Sequence, residues 1–311
     1  MGAGRWLSKR MKIPWGRGAN GRAGGGTYNP PAGTGRPARE KARKMSQSSV
    51  LASPPAPRLI TFGVVSFLNS RPLREYLPGY EAVAVRPEVP SRLIGMLDGG
   101  ECEAALLPVV DYWRNRERLR AVSDGCIASD GETLTVRVYS RRPPDRVERL
   151  HVDGDSHTSV VLARLIWLEL YDRRVEVVAW GGGTPDDDRS VDAILLIGDK
   201  VVTRAPRGFG FEVDLGAAWK HLTDLPFVFA AWYGRKEADL SRAARILNAA
   251  RDKGVSDARG IALRAAAEHG WPAELAVKYL CEIMKFKLTP GMRAGMDRFF
   301  HMAERRGLFE T

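Results

Sequence analysis

From Leu59 onward the chain repeats one device: a short, unbroken apolar run that stops at a turn residue and is followed by a polar or amphipathic stretch. "LITFGVVSF" (Leu59–Phe67), "CEAALLPVV" (Cys102–Val110), "VDAILLIGD" (Val191–Asp199) and "LPFVFAAWY" (Leu225–Tyr233) are the clearest cases, with "AVAVRP" and "VEVVAWG" as shorter ones. Runs of this length predict buried strands. Between them "PSRLIGMLDGG" has a helical pattern and ends in glycines, where a left-handed cap is cheap. "VERLHVDGDSHTSVVLARLIWLELYD" passes from a strand through a short polar loop into a helix, and "DLGAAWKHL" reads as another helix. "CIASDGETLTVRVYSRR" predicts an extended pair divided by the turn signal Asp130-Gly131. After Ala238 about four helical segments are expected, broken near Gly254, Gly270 and Pro290. This rhythm is that of an α/β layer. Two such blocks and a helical end predict two lobes around a cleft, with residues 58–138 and 228–311 in lobe I and 139–227 in lobe II.

The formal charge of +11 looks at first like a nucleic-acid signal. Its distribution removes that reading. Residues 1–58 carry 12 Lys or Arg against Glu40 alone, and the remaining 36 basic and 36 acidic residues cancel. The charge therefore belongs to a Gly- and Pro-rich extension, residues 1–57, which lacks apolar periodicity and is expected to be disordered. Met45 is a plausible alternative start. No run of eighteen apolar residues exists, so no membrane helix is expected. The basic beginning "MGAGRWLSKRMKIPWGRG" lacks the apolar core of a signal peptide, which leads to the expectation of a cytoplasmic protein. Cys102, Cys126 and Cys281 form neither a disulfide framework nor a metal-ligand pattern, and the five histidines are scattered. Gly181 to Gly183 is not a phosphate loop, because no Gly-Lys-Ser/Thr completes it.

Three loops at strand ends are candidate sites, since ligands of α/β folds bind beyond the C-terminal ends of strands. The first holds Ser66, Asn69, Ser70 and Arg71, with Pro72 restricting Arg71 and opening a helix. It reads either as a ligand loop or as a capping turn. In "DGDSHTS", Thr158 and Ser159 begin a helix whose free N–H groups suit a carboxylate or phosphate, or else Ser156 or Thr158 simply caps it. His157 is there to pair with a substrate carboxylate or to sit at the rim. In "LLIGDKVV", Gly198 allows close backbone approach; Asp199 is either a base or the holder of a loop, the latter being preferred.

Taken together, "VSFLNSRPL", "CEAALLPVVDY", "CIASDGETLTV", "VDGDSHTSVVLARL", "DAILLIGDKVV" and "DLGAAWKHLTDLPFVFAAW" resemble, in order and from about Leu59 to Tyr233, the MqnA family of chorismate dehydratases. A looser match, "YLCEIMKFKLTPGMRAGMDRFF", extends toward the C-terminus. The resemblance implies a two-lobed, periplasmic-binding-protein-like α/β fold of type II with a central cleft. It implies a carbon–oxygen lyase of the futalosine route to menaquinone, converting chorismate to 3-[(1-carboxyvinyl)oxy]benzoate and water without metal or organic cofactor. The family's active asparagine falls on Asn69, and its carboxylate-holding Ser/Thr pair falls on Thr158 and Ser159. Ser66, Ser70, Arg71, Thr135, His157, Gly198 and Asp199 complete the expected substrate site. His157 stands where the family often has arginine, Thr135 where it has serine, and Val109 also replaces a common serine. A small-anion solute-binding protein without activity is the alternative, sharing fold and anion-holding helix end. The expected partner is the small-molecule substrate, with neither membrane nor nucleic acid, and the oligomeric state stays open between monomer and homodimer.

Overall fold

The computed structural model describes residues 58–309 except 153–156, 184 and 187. The basic extension and the loop Asp153–Ser156 lie outside the described residues. Eleven strands are described: β1 (Ile60–Val65), β2 (Val83–Glu88), β3 (Ala104–Pro108), β4 (Leu119–Ser129), β5 (Val136–Ser140), β6 (Arg149–Val152), β7 (Glu176–Ala179), β8 (Ala193–Ile197), β9 (Phe211–Asp214), β10 (Phe227–Arg235) and β11 (Met284–Lys287). They form a six-stranded sheet of order β11-β4-β10-β3-β1-β2 and a five-stranded sheet of order β7-β6-β8-β5-β9.

Each sheet has a parallel part built by strand–helix–strand units and an antiparallel part built by returning chain. In the first, β1 runs parallel to β2 and β3, while β10 runs antiparallel to β3 and β4. In the second, β6 is parallel to β7 and β8, while β5 is antiparallel to β8 and β9. All five residues of β3 and of β8 are buried, as their unbroken apolar sequences require of strands covered on both faces. Helices supply the cover. Trp219, on the helix Leu215–Thr223, meets the edges of Phe227 and Phe299 with ring centroids 5.4 and 6.0 Å away. Full burial of such a side chain is worth about 1.5–3 kcal/mol.

Several expectations are corrected. Asp130-Gly131 does not divide a hairpin: β4 and β5 lie in different sheets. The Asp214 carboxylate accepts from the backbone N–H groups of Thr133 and Leu134, at 3.0 and 2.8 Å, and Leu134 is left-handed at φ 67°. The chain therefore crosses between sheets over residues 130–135 instead of folding back. It returns between Asp214 and Phe227. The expected lobe boundary at 138/139 falls inside β5. Strands β9 and β11 were not foreseen, β11 lying within the stretch expected to be helical. The helical break expected near Gly254 is observed, between the helices Ser241–Ser256 and Ala258–Ala265; Gly254 itself sits inside the first, where a Cβ would stand 1.9 Å from the Pro72 carbonyl oxygen. Glycine is there because another backbone passes too close for any side chain.

Candidate active site

The ends of β1, β3 and β8, the start of β5 and the middle of β10 converge on one pocket between the sheets. Its lining is mainly apolar, from Val65, Phe67, Leu106, Ile127, Phe229 and Met284, and its empty space, counted to the open mouth, is about 540 Å³. The polar lining is brief: Asn69, Thr133, Thr135, Ser159 and the backbone at Gly198. Among the described lining residues none is Lys or Arg. A ligand here is held by neutral donors and acceptors in an apolar box, the common composition of a small-molecule site.

Asn69 reaches the pocket because β1 is turned sharply at its end. The buried Ser70 hydroxyl lies 2.7 Å from the Val65 carbonyl and 2.8 Å from that of Phe67, and it accepts from Arg74 Nε at 3.0 Å. It closes the 3-10 turn Leu68–Ser70 and is absent from the pocket lining. Arg71 also faces elsewhere, pairing with Glu75 at 3.3 Å and with Glu268. Ser66 is exposed and does not line the pocket. Of the residues expected to contact substrate, Ser66, Ser70 and Arg71 therefore lie outside this pocket's lining: Ser66 is exposed, Ser70 closes the turn and Arg71 is held in ion pairs.

Asp199 is a strut. From the end of β8 its carboxylate accepts from the Leu68 N–H at 3.4 Å, His269 Nδ1 at 2.8 Å and Trp271 Nε1 at 3.0 Å. Arg71 Nε donates to His269 Nε2 at 3.4 Å, which leaves Nδ1 as the protonated nitrogen facing Asp199. The expected substrate contact of Asp199 is replaced by this tie between the second sheet and the turn carrying Asn69. Gly198 does line the pocket. It adopts φ 66°, and a Cβ on it would stand 2.8 Å from the Phe67 ring, so only glycine lets the lobes close there.

Deeper in, the Thr135 and Tyr279 hydroxyls are 2.6 Å apart, with the Asn69 side chain close to Tyr279. Tyr279 opens the π-helical turn Tyr279–Ile283, a distortion frequent at functional sites, and stacks on Trp271 at 4.8 Å. Burial pushes its phenol far above the ordinary range, so it acts as a neutral hydrogen-bonding group. Two oxygens of the lining, Asn69 Oδ1 and Thr133 Oγ1, are buried with no hydrogen-bond partner among the described residues. Buried polar atoms are normally satisfied, and two orphans on residues that line one pocket mark a place for a ligand.

The helix His157–Tyr171 meets the start of the helix Val109–Arg114 across the lobes. Thr158 Oγ1 accepts from the Val110 N–H at 3.2 Å, so its hydroxyl is engaged there, while Ser159 lines the pocket. His157 Nδ1 lies 2.6 Å from Asp111 Oδ1, and neither His157 nor Thr158 lines the pocket. Both residues, expected at the substrate, make contacts between lobes. The hydrogen bond to Asp111 raises the His157 pKa above its ordinary value of 6.5. Because folding favours the charged imidazole, the pair's stabilisation is complete below the ordinary value and disappears as pH rises through the higher folded one. The melting-temperature gap between wild type and His157→Gln should accordingly be wider at pH 6 than at pH 9; a gap independent of pH would show that the pair is not ionic.

Sequence reasoning missed Thr133, Tyr279 and Asp111. Thr133 lies in a segment read as an extended pair, and Tyr279 comes from the loosely matched C-terminal stretch. Among the described residues no three His, Cys, Asp or Glu side chains converge to hold a metal ion, and no helix is long and apolar enough to cross a membrane.

Residues 60–305 match the family described as menaquinone biosynthesis. The chain is 28% identical over 276 residues, covering 81% of this chain and 96% of the relative, to a protein of Thermus thermophilus named chorismate dehydratase. Among solved structures, a protein from Archaeoglobus fulgidus is similar at a TM-score of 0.63 and 18% identity, over 80% of this chain and 98% of that one. The alkanesulfonate-binding protein of Xanthomonas axonopodis pv. citri follows at 0.56 and 11%, over 82% and 95%. The periplasmic aliphatic sulphonate binding protein of Escherichia coli is similar at 0.53 and 14%, over 82% and 94%. These likenesses are of fold: two α/β lobes in the arrangement of periplasmic binding proteins.

Proposed function

The chain belongs to the menaquinone biosynthesis family, and on that premise we propose that it dehydrates chorismate to 3-[(1-carboxyvinyl)oxy]benzoate and water. The observation that carries the reading is Asn69 Oδ1, an acceptor without a partner among the described residues at the wall of an apolar pocket. Chorismate at neutral pH has two carboxylates and one hydroxyl, so its only donor is the C4 hydroxyl. An acceptor-only oxygen suits that group and orients it. Ser159, at the start of its helix, suits a carboxylate, supported by helix N–H groups.

In the proposed step the C3 proton moves to the substrate's own enolpyruvyl carboxylate. The C3–H electron pair becomes the new ring double bond, and the C4 hydroxyl leaves, taking that proton to depart as water. Aromaticity of the product supplies the driving force, so no strong protein base is required. The protein's contribution is to hold the two reacting groups together and exclude water.

The test is the full chain with chorismate, followed by mass. Loss of one water to the enolpyruvyl benzoate is expected. Chorismate that binds and comes back intact would overturn the dehydratase reading in favour of a binding protein for small anions.

A further inference from the structure

We infer that Thr133 is a specificity-determining residue whose hydroxyl donates to a carboxylate of the substrate; this rests on the dehydratase reading and deepens it. Thr133 is fully buried, lines the pocket, and its Oγ1 has no hydrogen-bond partner among the described residues. Its neighbour Thr135 differs, because its hydroxyl is engaged with Tyr279. A hydroxyl buried without a partner costs stability, and valine would fill the same space without that cost.

The side chain is held in place from both ends. The Asp214 carboxylate accepts from the Thr133 and Leu134 N–H groups and also caps the helix Leu215–Thr223 through Gly216 and Ala217. The Thr133 methyl is seated against that helix, where a Cβ added at Gly216 would stand 2.6 Å from it. A β-branched side chain whose methyl is so placed has little χ1 freedom. Leu134, left-handed at φ 67°, adds local strain, which commonly accumulates at ligand clamps. The hydroxyl is thereby preorganised without serving the fold.

The division of labour follows from donor and acceptor chemistry. Asn69 Oδ1 can only accept, and chorismate offers a single donor, its C4 hydroxyl. Thr133 can donate, and what remains on the substrate is carboxylate. A hydroxyl facing a carboxylate also discriminates: an analogue with an ester or amide at that position gains less from Thr133 than the acid does.

The experiment compares wild type, Thr133→Val and Thr133→Ser by steady-state kinetics with chorismate, by the chorismate-induced melting shift, and by melting of the free protein. Thr133→Val should raise KM by about 10- to 100-fold, the loss of a hydrogen bond to a charged group, while its free form melts no lower than wild type. Thr133→Ser should return KM to within about threefold of wild type. An unchanged KM in Thr133→Val, or a lowered free-protein melting temperature that serine does not restore, overturns the assignment while wild-type turnover leaves the dehydratase reading intact. A wild-type protein that neither binds nor converts chorismate overturns both.

Discussion

Replacing Asn69 with alanine should lower kcat by about 100- to 1,000-fold, the usual cost of removing one preorganised polar group from a reacting centre. Chorismate binding should weaken far less, by at most about tenfold for one neutral hydrogen bond. The asymmetry is expected because the carboxylates, held by other residues, dominate binding. In the proposed reaction Asn69 acts on the hydroxyl that leaves. The Tyr279 hydroxyl keeps its partner Thr135 without Asn69, so the alanine variant should remain folded. Steady-state kinetics together with calorimetric binding separate the two effects. Equal losses in turnover and binding would reduce Asn69 to a binding contact.

Asp199→Ala should produce the largest loss of stability among the pocket's surroundings, about 3–5 kcal/mol. The carboxylate serves three donors from three places in the chain: the Leu68 N–H, His269 Nδ1–H and Trp271 Nε1–H. Its removal leaves all three without an acceptor, at about 1–3 kcal/mol for each that water cannot reach. Activity should fall as well, because Leu68 begins the turn that presents Asn69 and Trp271 stacks on Tyr279. Asp199→Asn keeps one acceptor oxygen and should lose less of both. Urea unfolding measures the stability term. A variant that lost turnover but unfolded like wild type would instead make Asp199 the base that its position at a strand end allows.

Both predictions concern residues the sequence singled out. Asn69 was legible because the turn is local: an apolar strand ends at Val65, and Asn69, Ser70 and Pro72 follow within a short 3-10 and helical turn. Asp199 was legible as a strand-end residue, and its preferred structural role matches the contacts it makes, but its partners were not. Leu68 lies 131 residues away and Trp271 lies 72. His157 was similarly placed at a helix start, while its partner Asp111 sits 46 residues earlier on the other lobe.

By itself the sequence determined the buried strands, the layered α/β class, the Asn69 turn and, through its motifs, the family. These are local properties: side-chain period, turn chemistry and helix starts depend on residues within a few positions of one another. Only the tertiary structure decided that β4 and β5 part to different sheets, that β11 is a strand, and that Thr133, Thr135 and Asn69 line one pocket. Thr135 meets Tyr279 across 144 residues because sheet order and burial bring them together. No pattern within either segment encodes that meeting, since it arises when two apolar lobes close and each remaining polar group must find a partner or be left facing the cleft.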